Sequence, residues 1–192
     1  MSAIIGCALP LSEDQFAKAL HNHSQYARKF AAGWSQYERV SLQLNECFDE
    51  CRSVGVAVKE TLSPNNLSSL FSAKIVILFA HWIDETNEIE FWGQPLRSED
   101  IGNKIPPEFS GILDLSVCHP DTLVGSLKRK PHSYSIKYYP DELLPSFWAE
   151  VYSATFRTLR RKFPMDIPPE QYKDMLASVV KEFRSQEEGG WK

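Results

Sequence analysis

Two residues of this chain have the types and positions to do chemistry together. His81 closes the apolar run Lys74-Ile-Val-Ile-Leu-Phe-Ala80, and Cys118 closes the run Gly111-Ile-Leu-Asp-Leu-Ser-Val117. A cysteine is a nucleophile to the extent that it is thiolate at neutral pH, and a histidine within reach supplies the base or the imidazolium that sustains the thiolate. Both runs are almost unbroken in apolar residues, the pattern of a central parallel strand covered on both faces. Sites in open parallel sheets form beyond the carboxyl ends of the strands, so two residues ending successive strands share one rim. A strand-end cysteine that only packs, beside a histidine hydrogen-bonded for structure, is the plainer alternative.

Other candidates are weaker. Asp84, three residues after His81, can orient the imidazole or serve only in a turn. Asp114 shares strand parity with Cys118 and either contributes to a pocket for a basic residue or is a buried, hydrogen-bonded structural aspartate. Lys128-Arg129-Lys130 and Arg157, Arg160, Arg161, Lys162 are basic clusters, read as solvated faces or as surfaces for an acidic peptide or partner. Cys47 and Cys51 stand four apart and could meet a metal with His21 or His23, but they continue an apolar stripe, so core packing is expected and no metal is assigned.

The elements that must position these residues follow from pattern. Ser12-Glu-Asp-Gln15 is a capping box that starts a helix, with Phe16, Leu20, His23, Ala27, Phe30, Trp34 and Tyr37 on one stripe, continued by Leu44, Cys47, Cys51 and Val54. Gly33 and a second capping box, Ser35-Gln-Tyr-Glu38, favour two helices broken near residue 34; one long rod is the alternative. Strands are expected near 54–59, 74–80, 111–117 and 133–138, with a small hairpin at 88–92 and a short helix at 98–103. Two helices follow, one from about Asp141 and one announced by Pro168-Pro169, before a polar tail from residue 186. Residues 1–53 are expected to form a helical segment packed on a domain spanning 54–185.

The chain has 192 residues, 24% of them charged and 43% hydrophobic, with a formal charge of −4, which suits one domain and gives no global field for nucleic acid. The longest apolar stretch, Ile75 to Ala80, is far short of a membrane span, and the apolar N-terminus lacks the basic start of a signal peptide. Four cysteines in a chain this long predict reduced thiols in a cytoplasm.

Ser63 to His81, Ile89-Glu-Phe-Trp-Gly-Gln-Pro-Leu-Arg-Ser-Glu-Asp-Ile101, and Gly111-Ile-Leu-Asp-Leu-Ser-Val-Cys118 together resemble the CHAT branch of the caspase-like cysteine peptidases, and 147–176 is similar to that family's closing helical pair. There a buried strand ends in the general-base histidine, a hairpin and short helix follow, and a second buried strand ends in Leu-Ser-Ala-Cys. The resemblance implies a caspase-like three-layer α/β sandwich with a mainly parallel sheet. It implies His81 as base, Cys118 as nucleophile, and the backbone amides of Trp82 and Cys118 as oxyanion donors, with no cofactor. Trp82 stands where the family carries glycine, and His119-Pro120 follow the cysteine, departures that motivate a second reading as an inactive caspase-fold interaction module. Expected partners are a protein or peptide substrate and a regulatory protein, with neither nucleic acid nor membrane. Lys128, Arg129 and Lys130 would receive the regulator on a mobile loop running from His119 to Ser133.

Overall fold

A computed structural model describes residues 2–22, 28–30, 32–83, 85–92, 94–117, 120–129, 133–139 and 145–189, with side chains to 185. Five parallel strands form the main sheet: β1 (Ala3–Cys7), β2 (Ala57–Lys59), β3 (Ile75–Phe79), β7 (Ile112–Ser116) and β8 (Ser135–Tyr138), in the order β2-β1-β3-β7-β8. Between β3 and β7 a three-stranded antiparallel sheet intervenes, built from β4 (His81–Ile83), β5 (Glu88–Glu90) and β6 (Leu96–Arg97). The helices are α1 (Glu13–His21), α2 (Trp34–Ser53), α3 (Ser98–Lys104), α4 (Asp121–Lys128), α5 (Pro145–Lys162) and α6 (Pro169–Gly189), with a 3-10 helix at Leu67–Ser72.

Strand parity divides the core into two layers, as a sheet covered on both faces requires. Ile5, Cys7, Ile75, Ile77, Phe79 and Ile112 pack under α2, α5 and α6. Ile4, Val76, Leu78, Leu113 and Leu115 face the 3-10 helix, the small sheet, α3 and α4. The result is the expected three-layer α/β sandwich with a mainly parallel sheet. Among the described residues no helix is long and apolar enough to cross a membrane.

Three expectations need correction. The sheet has a further strand, β1, which lies between β2 and β3, so residues 1–53 supply part of the sheet as well as helices outside it. Within the segment read as a mobile loop from His119 to Ser133, residues 121–128 form α4, whose Leu123, Val124 and Leu127 are buried. The Ser35-Gln36-Tyr37-Glu38 box does not cap α2: Gly33 is its N-cap, while Gln36 Oε1 accepts from the Ala32 amide. The Ser12 box does form, Ser12 Oγ accepting from the Gln15 amide at 3.3 Å and Gln15 Oε1 from the Leu11 amide at 2.7 Å.

α2 stops in a Schellman turn. The Gly55 amide reaches the Arg52 carbonyl and the Val56 amide the Cys51 carbonyl, a closure that needs the positive φ of 82° at Gly55. The Arg160 guanidinium lies over that glycine and donates to the Val54 carbonyl at 2.5 Å, tying the turn to α5.

The parallel registry also depends on a bare backbone at the start of β7. A Cβ on Gly111 would sit 2.0 Å from the Lys74 carbonyl oxygen, the same oxygen that accepts from the Ile112 amide at 2.8 Å. Gly111→Ala should therefore lower the unfolding free energy by about 3 kcal/mol, read from the urea midpoint. Gly125, in α4 with nothing within 4 Å of an added Cβ, should respond the other way, Gly125→Ala raising stability by about 0.5–1 kcal/mol.

Candidate active site

The order β2-β1-β3-β7-β8 reverses direction between β1 and β3, and such a reversal normally opens a crevice beyond the carboxyl ends. Here the segment that leaves β1 turns along the end of β3, the Ala8 amide donating to the Phe79 carbonyl at 2.8 Å. Leu9, Pro10 and Leu11, just past β1, are buried, and α2 holds their backbone through Tyr37 Oη donating to the Pro10 carbonyl and Asn45 Nδ2 donating to the Leu11 carbonyl, both at 2.8 Å. Cys7 ends β1 on the same rim, but it is fully buried and its thiol is pushed up to about 12 by desolvation, so it holds its proton.

The neighbouring pair of strands, β3 and β7, precedes the two sequence-predicted residues in the chain. In the β3–β7 ladder Phe79 stands opposite Ser116. In the sequence His81 follows Phe79, and Cys118 follows Ser116, by two residues. His81 is the first residue of β4, where it pairs with Glu90, and is 5% exposed. Trp82, opposite Ile89, is 3% exposed and packs into the apolar layer with Phe91 and Ile101. The indole thus faces protein interior, the physical reason this position tolerates a bulky residue. Cys118 and Asp84 lie outside the described residues, as does Lys130. Lys128 and Arg129 are exposed at the end of α4, with the Lys128 ammonium 5.8 Å from the Tyr138 ring centroid.

Asp114 resolves in favour of the buried structural aspartate. It has no exposed surface, and its two carboxylate oxygens accept from Tyr152 Oη of α5 at 2.9 Å and Tyr172 Oη of α6 at 2.7 Å. Lys137 is its register partner on β8. Both oxygens being engaged by tyrosines, the carboxylate is not presented to a substrate. Tyr152 was not expected on the inward face of its helix. The signal that could have found it is a phenol on a helix that must cover a strand carrying a buried acid.

The other cysteines are core residues. Cys47 and Cys51 lie in the layer between α2 and the sheet, and burial pushes both thiols up to about 12. Among the described residues no group of three or more His, Cys, Asp or Glu side chains could hold a metal. No protein-family model matches the chain, and no curated protein or solved structure matches it either.

The environment of Asp114 sets a pH dependence. Desolvation raises its carboxyl from 3.8 to about 6, against the tyrosine hydrogen bonds and the Lys137 charge, which lower it. The folded state therefore binds the proton more tightly than the unfolded chain. This contribution to stability is fully present below pH 4 and is lost as pH rises through 6, a change of about 3 kcal/mol. Asp114→Asn, whose amide can still meet both phenols, should remove that component of the stability–pH profile in urea titrations at pH 4 and pH 7.

Proposed function

We propose that the chain is a caspase-like cysteine endopeptidase of the CHAT type, with Cys118 as nucleophile and His81 as its proton-exchange partner. The observation that carries the reading is that β3 and β7, the strands that precede His81 and Cys118 in the chain, are adjacent and parallel, each residue following the Phe79–Ser116 pair by two positions in sequence. The order of elements supports it: a buried strand, the histidine, a small antiparallel sheet, a short helix, then the second buried strand leading to the cysteine. In this reading the Cys118 thiolate attacks the scissile carbonyl carbon and His81 gives a proton to the leaving amine. The backbone amides of Cys118 and Trp82 hold the oxyanion, and water then releases the acyl group from sulfur. The substrate is a peptide or protein; a regulatory protein binding at Lys128, Arg129 and Lys130 belongs to the same proposal.

A second reading, an inactive interaction module on the same fold, is favoured by one observation: the histidine is 5% exposed and is followed directly by a tryptophan buried in the core. Labelling separates the two. Cys7, Cys47 and Cys51 are buried with thiols held protonated, so a peptide-based electrophile should mark the native protein at one position. The expected result is labelling lost in Cys118→Ala and slowed roughly tenfold at pH 7 in His81→Ala, with the rate in His81→Ala recovering as pH rises toward the ordinary thiol range. Equal labelling of wild type and Cys118→Ala would leave the interaction module as the reading.

A further inference from the structure

A second feature lies at the edge of the sheet, on β8, the strand next to β7. A cavity of about 460 Å³ opens where the end of β8 meets the C-terminal part of α6. Lys137 on β8 and Tyr139, one residue past the strand, border the cavity on one side, and on α6 the spacing of Ala177, Val180, Lys181 and Arg184 sets those residues along one side of the helix. The Lys137 ammonium stands 4.7 Å and the Arg184 guanidinium 5.8 Å from the centre of the Tyr139 ring. Lys137, Lys181 and Arg184 thus border one cavity, in a chain whose overall formal charge is −4. Burial and the nearby Asp114 hold the Tyr139 phenol up at about 12, so the ring adds no negative charge.

We infer that this cavity binds the acidic side chains of a peptide segment. Two features point to a peptide rather than an isolated anion. The floor is aromatic and aliphatic, Tyr139, Ala177 and Val180, suited to the methylenes of glutamate as much as to its charge. The cavity also adjoins an edge strand, since among the described residues no strand pairs with the outer side of β8. An extended peptide can hydrogen-bond along such an edge while its side chains enter the adjoining pocket. The site stands independently of the peptidase reading, because neither Cys118 nor His81 belongs to it.

The test is fluorescence anisotropy with a short labelled peptide rich in glutamate, against its glutamine counterpart, on the full chain at low salt. Binding of the glutamate peptide alone is expected, weakened roughly tenfold or more in the double variant Lys181→Glu, Arg184→Glu, and lost progressively as salt is raised. The pair Lys181→Gln, Arg184→Gln, which removes charge without reversing it, should give an intermediate loss with an unchanged circular dichroism spectrum. Lys18→Glu with Arg39→Glu, an equal charge change at exposed residues elsewhere, should leave affinity as in wild type. Absence of binding, equal binding of the glutamine peptide, or equal loss in both charge-reversal pairs would overturn the assignment.

Discussion

One buried carboxylate fastens the sheet to two helices at once. Asp114 sits in the middle of β7, and its two oxygens reach the phenols of α5 and α6. Burying a carboxylate without partners is costly, and removing either phenol would leave an oxygen unpaired in a dry layer. The arrangement therefore selects one placement of both helices over sliding alternatives that ordinary apolar packing would tolerate. Around it the aromatic contacts follow: Phe79 meets Tyr152 edge-on at 5.4 Å and Phe48 at 5.4 Å, and Phe156 stacks on Tyr172 at 5.5 Å. The strands that lead to His81 and Cys118 are β3 and β7, the two whose side chains enter this knot.

The rim beyond those strands is held from a second direction. α2 is coupled to α5 by Glu50, which accepts from Ser153 Oγ and pairs with Arg157 at 2.6 Å, and its earlier turns grip the segment after β1 through Tyr37 and Asn45. The exposed Glu50–Arg157 pair adds little energy by itself. Its value is geometric, since α2 spans from the packed switch point to the Schellman turn that Arg160 covers. Leu9 and Leu11, in the segment that leaves β1 at the switch point, are thereby held in the core under α2.

Much of this was legible in the residues because period and apolar content coincide there. Ile75–Phe79 and Ile112–Ser116 have no polar residue except Asp114 and Ser116, and both are strands within a residue or two of the expected limits. Ala3–Cys7 has the same texture, but five apolar residues near a terminus do not say whether they pair, and only the register with β2 and β3 does. α4 was hidden by Pro120 and Gly125, which read as breakers. In the structure Pro120 is the N-cap, where its missing amide costs nothing, and Gly125 lies on the exposed side. The histidine's position at a strand end was readable from the run before it. The depth of its burial was not, because that depends on β5 folding back alongside it. The carboxylate's partners were equally out of reach, being 38 and 58 residues away in sequence.

The place of β1 has a consequence for how the molecule comes into being. β1 is sandwiched between β2 and β3, while α5 and α6, which roof one face, leave the ribosome after every described strand. The half-made chain carries Ile5, Ile75, Ile77 and Phe79 with only α2 to shelter them. Parallel pairing and distant closure make such folds slow to complete, and an uncovered sheet face invites association with other chains. Synthesis of this protein therefore passes through a stage in which an apolar face of the sheet is exposed, and the tyrosines of α5 and α6 are what end that exposure.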